Sequence, residues 1–318
     1  MAVGGFVPET VVRNEDLVHL GCDPEWIVQR TGIQERRKAV PGQSSGDLGA
    51  EAARLCLKRA GVDASELDLI LVATMTPDHQ TPSTACRMLT YLGASCPAMD
   101  VGAACAGFMF ALVTGMQFVK QSGMQRVLVI GTETMTHTVN PSDSKTYPLF
   151  GDGAGAVLLG PGSGEQGLLA YELGSDGAGN CALQIPAGGS REPLTAEGLA
   201  AGRQYLQMDG RTVFKWAVTQ MTASIKAVAE EAHISLAEVD RIVLHQANAR
   251  IIAAVAEALG VPLEKMATNV HRYGNTSAAS IPLVLEDLAQ AGELTSGKTL
   301  LLCGFGAGLA WGTGVFRL

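Results

Sequence analysis

The chain has 318 residues, 47% of them hydrophobic, with 38 glycines and a formal net charge of −8. That size and apolar content suffice for a large core in one or two domains, and the acidic balance disfavours wholesale binding to nucleic acid or an anionic membrane. Seven cysteines without a CxxC pair, and no run of about 18 apolar residues, argue against a disulfide scaffold and a membrane span and read as reduced thiols in the cytoplasm.

The opening "MAVGGFVPET" has neither a basic segment nor a long apolar core, so no signal peptide is expected. The spacing predicts a helix over 46–60. "AGVDASELDLILVA" (60–73) reads as its end, a short acidic turn and a buried strand. The apolar segment "CPAMDVGAA" then runs into Cys105 and a helix over 105–121, and "RVLVIG" (126–131) is another buried strand. The Gly-rich stretch 174–202 is irregular and reads as a long functional loop or cap. Helices follow over 214–233 and 249–259. The second carries Ile251, Ile252, Val255 and Leu259 on one face, with Gly260 as its stop.

Part of this pattern occurs twice. "AHISLAEVDRIVLH" (232–245) matches 60–73 through Ala60/Ala232, Glu66/Glu238, Asp68/Asp240 and Ile70/Ile242. "KTLLLC" (298–303) matches "RVLVIG". Between these pairs, "DVGAACAGFMFAL" and "NVHRYGNTSAASIPLVL" both read as strand, Gly/Ala turn and helix, which places Cys105 and Asn275 at comparable positions. The repeat predicts two α/β halves, residues 1–165 and 166–318.

Cys105 is either a small buried packing residue or a nucleophile. Its place at a helix start favours thiolate, and its Ala and Gly neighbours leave room for a substrate. His245 ends a buried strand, where a structural hydrogen bond and a chemical role are both open. Asn275 sits at the turn before a helix, where Asn is also a favoured N-cap. If the halves face each other, a thiol, an imidazole and a carboxamide converge, a set suited to acyl transfer. "GDGAGA" (151–156) and "GFGAGLAWG" (304–312) lack the phosphate-loop patterns, and no HExxH pairing occurs. No nucleotide cofactor and no metal are expected.

Taken together, "DVGAACAGF", "HQANARI", "RYGNTSAASIP", "FGDGAGA" and "GFGAGLAWG" resemble β-ketoacyl-acyl-carrier-protein synthase III, the initiating condensing enzyme of dissociated bacterial fatty acid synthesis. The resemblance spans essentially the whole chain. It implies a thiolase-like five-layered αβαβα fold of two duplicated halves, a homodimer, and acyl-CoA as a substrate with no cofactor. It implies Cys105, His245 and Asn275 as the catalytic triad, malonyl-acyl-carrier protein as second substrate, and the backbone N–H groups of Cys105 and Ala307 as oxyanion hole. It places Trp26, Arg30, Thr31, Arg211, Asn248 and Phe305 at substrate-binding positions. Lys215 and Arg250 fall at the docking site for the acidic carrier protein. Thr81 falls where a residue reaches across the dimer to the acyl pocket of the other subunit. Ser144 replaces the Arg that often stacks on the CoA adenine, and Gly306-Ala307-Gly308 replaces three glycines. Two rivals are a thiolase-fold acyltransferase or condensing enzyme of secondary metabolism, and a non-catalytic thioester-binding subunit. Asn275 argues against the acyltransferase, Cys105 against the thioester-binding subunit.

Overall fold

The structure, a computed structural model, describes residues 2–162 and 164–318. The first half runs β1 (Ala2–Phe6), β2 (Thr10–Arg13), α1 (Pro24–Thr31), β3 (Glu35–Lys38), α2 (Ser45–Ala60), β4 (Leu69–Ala73), α3 (Thr84–Leu92), β5 (Ala98–Val101), α4 (Gly107–Ser122), β6 (Val127–Thr134) and β7 (Asp152–Leu159). The second runs β8 (Gly167–Ser175), β9 (Leu183–Gln184), α5 (Ala196–Ala200), β10 (Gln207–Met208), α6 (Gly210–Glu231), β11 (Arg241–Leu244), α7 (Ala249–Leu259), β12 (Met266–Ala267), α8 (Val270–Tyr273), α9 (Ser280–Gln290), β13 (Thr299–Gly306) and β14 (Ala310–Arg317).

The two main sheets are copies of one topology. One is ordered β1-β7-β6-β4-β5 and the other β8-β14-β13-β11-β12. In each, three parallel strands are followed by one antiparallel strand (β7, β14) and then by an edge strand paired antiparallel to it (β1, β8). Such strands are buried on both faces and therefore read as continuous apolar runs; every residue of β4, β6, β7 and β13 is buried.

Three apolar clusters define five layers. Leu48, Ala52 and Met88 of α2 and α3 pack on the outer face of the first sheet. Phe108 and Met109 of α4 and Ile281 and Val284 of α9 fill the space between the sheets. Met221 and Ile225 of α6 and Ile252 and Val255 of α7 cover the outer face of the second. Close approach in the middle layer requires glycine in "GDGAGA": a Cβ on Gly155 would lie 2.6 Å from Pro282 Cβ and 2.8 Å from its carbonyl carbon.

The helices expected at 46–60 and 249–259 are found at 45–60 and 249–259, each held by a side-chain N-cap (Ser44, Asn248) and a left-handed glycine C-cap (Gly61, Gly260). The helix expected over 105–121 begins at Gly107, because Ala104–Ala106 wind as a 3-10 turn first. The helix expected over 214–233 spans 210–231, starting at the Asp209 cap. The stretch 174–202 is largely irregular, with α5 inside it, and β9 pairs with β10 through Leu183 and Met208.

The repeat register needs one correction. Strands β4 and β11 match as the sequence suggested, Ile70 and Ile242 each being the second residue of its strand. Ile70 pairs with Leu128 and Ile242 with Leu301, however, so β13 matches β6 one residue further along than "KTLLLC" against "RVLVIG". The turns before the middle helices, Ala104–Ala106 and Ser277–Ala279, match one residue further along. Cys105 therefore corresponds to Ala278, and Asn275 to Gly102. The sequence comparison had aligned two reactive residues rather than two backbone positions.

Candidate active site

The middle-layer turns bring the two halves together around one cavity of about 120 Å³, lined by Cys105, His245 and Asn275 among others. Cys105 sits directly after Ala104, which has a left-handed φ of 45°. The opposite wall is the end of β13: a Cβ on Gly306 would lie 2.8 Å from the Cys105 nitrogen, so only glycine lets these backbones meet. Ala307, the next residue, lines the cavity and is absent from the residues with positive φ.

His245 follows β11, its N–H donating to the Cys303 carbonyl at 2.8 Å. Its Nδ1 lies 2.7 Å from Ser280 Oγ, and the ring also hydrogen-bonds the Ser277 backbone. Phe305 stacks edge-on to the ring at 5.0 Å between centroids. Asn275 is pinned by its backbone: its N–H donates to the Leu149 carbonyl and its carbonyl accepts from Gly151, at 2.8 and 3.1 Å. Its Oδ1 accepts at 2.9 Å from the N–H of Ser277, the first residue of the 3-10 turn Ser277–Ala279, and its Nδ2 remains without a partner among the described residues.

The electrostatics correct one expectation. Burial pushes the Cys105 thiol up to about 12, and the nearby Glu133 adds to the rise; the Ser277 hydroxyl and the cysteine's own N–H pull the other way. Burial likewise pulls the His245 imidazole down to about 3. Thiol and imidazole therefore rest neutral side by side, and a helix start alone does not make Cys105 a thiolate.

Met75, Met135, Leu183, Leu206, Val213 and Phe214 give the cavity an apolar wall, part of it from the cap region. Asn248 lines it as well, while its Oδ1 caps α7 through Ile251 N–H at 2.9 Å. Next to that cap, α1 packs through Gly32 against Ala249. Trp26 of α1 is 47% exposed, with Arg30 over its ring at 5.8 Å. Thr31 is buried and its hydroxyl is committed to its own backbone, donating to the Ile27 carbonyl at 2.6 Å and accepting from Ile33 N–H at 3.0 Å. Arg211, Lys215 and Arg250 are exposed on α6 and α7. Arg250 lies over the Phe214 ring at 5.8 Å, at the edge of the cavity. Among the described residues none of these three cations forms an ion pair. Thr81 is exposed and lies outside this cavity, in a loop tied to the cap region by Gln80 Nε2 donating to the Gly188 carbonyl at 3.3 Å.

Sequence reasoning missed Ser280, behind His245, and Glu133, behind Cys105. The signal for Glu133 was an acid inside an apolar run, "RVLVIGTETM".

A buried thiol, a neutral imidazole and a carboxamide at the junction of two duplicated α/β halves define a thiolase-fold enzyme of acyl transfer. Comparison with known proteins narrows this class. The family model for 3-oxoacyl-[acyl-carrier-protein] synthase III matches residues 99–177, and the model for its C-terminal part matches 229–318. A beta-ketoacyl-[acyl-carrier-protein] synthase III of Rhodopirellula baltica is 56% identical over 99% of this chain and 96% of its own length. Solved 3-oxoacyl-(acyl carrier protein) synthase III from Pseudomonas aeruginosa PAO1 is 38% identical with a TM-score of 0.91, covering 99% of this chain and 96% of that one. The Thermus thermophilus enzyme is 37% identical with a TM-score of 0.93, covering 100% and 98%. The chain belongs to the β-ketoacyl-acyl-carrier-protein synthase III family. No helix among the described residues is long and apolar enough to cross a membrane.

Proposed function

We propose that this enzyme condenses an acyl-CoA primer with malonyl-acyl-carrier protein, giving 3-oxoacyl-acyl-carrier protein, CoA and CO₂, and so initiates fatty acid synthesis. The observation that carries the reading is the meeting of Cys105, His245 and Asn275 in one apolar cavity, with Nδ1 of His245 and Oδ1 of Asn275 already engaged. In this reading Nε2 and Nδ2 act on the substrate.

Cys105 Sγ attacks the acyl thioester carbonyl, CoA leaves as its thiol, and one difficult condensation is split into two easier steps. The N–H groups of Cys105 and Ala307 hold the oxyanion; loss of one such donor typically costs about 3 kcal/mol. Malonyl-carrier protein enters next. Nε2–H of His245 and Nδ2–H of Asn275 donate to its thioester oxygen, CO₂ departs, and the enolate carbon attacks the acyl-cysteine. A neutral imidazole donates from Nε2 when Nδ1 accepts the Ser280 hydroxyl proton, and burial keeps the ring neutral. Trp26, Arg30, Arg211 and Asn248 surround the path of the CoA or pantetheine arm, Thr31 supports it from its own helix, and Phe305 backs His245. Lys215 and Arg250 meet the carrier protein. The enzyme works in the cytoplasm as a homodimer, for which the unpaired outer edge of β5, with Met99 39% exposed, offers a pairing strand.

The test is turnover. Acetyl-CoA and malonyl-carrier protein should yield 3-oxobutyryl-carrier protein by mass spectrometry. Acetyl transfer without carbon–carbon bond formation would favour an acyltransferase instead.

A further inference from the structure

The turn beside Asn275 is held from the opposite half by a group that the proposed function leaves without a role. Glu133, near the end of β6, is fully buried and forms no ion pair among the described residues. Six donors surround its carboxylate instead, in two sets. From the first half, the segment after β4 supplies the N–H groups of Met75 and Thr76 at 3.1 to 3.2 Å. The hydroxyls of Thr74 and Thr76 add to these at 3.2 and 2.6 Å. From the second half, the Ser277 hydroxyl donates to Oε1 at 3.0 Å and Ala278 N–H at 3.4 Å. Two residues earlier on the same face of β6, Gly131 lets this turn approach, since a Cβ there would overlap the Ala278 carbonyl oxygen. All six groups are donors, and a carboxylate offers about four acceptor sites and no hydrogen. An amide in its place would turn an NH₂ group toward one set of donors.

The turn so seated supports both groups of the second chemical step. Asn275 Oδ1 accepts from Ser277 N–H at 2.9 Å, which ties the carboxamide to the residue whose hydroxyl Glu133 holds. Ser280, just past the turn, has its Oγ 2.7 Å from His245 Nδ1 and accepts from Gln246 N–H at 3.3 Å. On its other side the carboxylate holds Met75, whose side chain lines the cavity. Cys105 stands on its own turn, Ala104–Ala106, which contributes none of the six donors. Glu133 and Ser277 do not themselves line the cavity.

We infer that Glu133 positions Asn275 and His245 for decarboxylation, by clamping the turn Ser277–Ala279 of the second half to the first half, which carries Cys105. This rests on the proposed condensation and adds no step to it. Glu133 and Ser277 act through Asn275 and His245 and are positioning residues, not catalytic ones. The clamp fixes where the two hydrogen-bond donors stand relative to the acyl-cysteine, so the second step depends on it and the first does not.

The test separates the two half-reactions in Ser277→Ala and Glu133→Gln. Alanine fits position 277, because the chain already carries Ala104 in the same left-handed conformation. Transfer from acetyl-CoA to Cys105, followed by intact mass in a single turnover, should stay within about twofold of wild type. CO₂ release from malonyl-carrier protein should fall about 10- to 100-fold, since a misplacement near 1 Å can cost on the order of 100-fold. A mere loss of folded enzyme lowers both rates in proportion and does not produce this split. Hydrogen exchange read by mass, without substrates, should speed up over residues 275–280 and stay unchanged over 98–106. Thermal melts report whether Glu133→Gln folds, and Ser277→Ala decides alone if it does not. Equal losses in both half-reactions, CO₂ release at the wild-type rate, or unchanged exchange over 275–280 overturns the inference. Wild type that is acylated but releases no CO₂ would overturn the proposed function instead, and the exchange measurement then decides the clamp.

Discussion

Ala104 and Ser277 hold the same left-handed backbone conformation, φ 45° and 48°, at equivalent turns in the two halves. Neither is glycine, so each costs on the order of 1 kcal/mol. Both turns pass into a helix of the middle layer, and Ala104, Cys105 and Asn275 line the cavity. One copy carries the nucleophile just after the strained residue; the other carries the carboxamide two residues before it. The duplication thus supplies two faces of one site, and the two reactive residues occupy different positions of the repeated turn.

The account assigns the two chemical steps to opposite halves. His245→Ala and Asn275→Ala should still accept an acyl group on Cys105 but lose malonyl decarboxylation by about 100-fold or more. Measured CO₂ release near the wild-type rate would reject this division.

Acid should destabilise the protein partly through His245. Burial holds its folded pKa at about 3 against 6.5. Below 6.5 the unfolded chain binds a proton that the native state refuses, so stability is lost as pH falls from there toward 3. The loss is about 1.4 kcal/mol per pH unit at most. Urea midpoints of His245→Gln should therefore fall less than those of wild type on acidification through this window. Parallel curves would contradict the assignment.

Carrier-protein docking needs a local positive surface, because an acidic partner and a chain of net charge −8 otherwise repel. Lys215 and Arg250 flank Phe214 at the edge of the cavity. Reversing both to Glu should raise the KM for malonyl-carrier protein several-fold and weaken its salt dependence. Equal damage to acylation by acyl-CoA would show that the defect is not docking.

Thr81 lies outside this chain's cavity, as a residue reaching into a partner's pocket must. In the proposed homodimer its small side chain would leave room in the partner's acyl pocket, and each buried CH₂ contributes about 0.8 kcal/mol. Wild type should accept medium-chain primers as well as acetyl-CoA, and Thr81→Phe should narrow that range in a kcat/KM series. A wild type restricted to acetyl, or an unchanged profile in the variant, would remove Thr81 as the gate.

Much of this was legible in the sequence because strand ends and Gly/Ala turns punctuate it. Cys105, His245 and Asn275 all lie at such joints, and the apolar runs of both sheets read as buried strands. The helix after Cys105 starts late because a left-handed Ala104 and a 3-10 turn precede it, and Gly306 from β13 closes on Cys105 there, a contact no local pattern contains. Glu133 stayed hidden for a similar reason. Its donors come from 57 to 145 residues away, so neither spacing nor propensity shows that a buried acid there is satisfied. Thr31 illustrates the converse, since its hydroxyl already serves its own helix.

The most direct measurement is the intact mass of the enzyme after acetyl-CoA alone, followed by peptide mapping. Wild type should gain one acetyl group on Cys105 and lose it on addition of malonyl-carrier protein, while folded Cys105→Ala gains none. An acetyl group that persists in Cys105→Ala, or one that malonyl-carrier protein cannot discharge from wild type, would contradict the account.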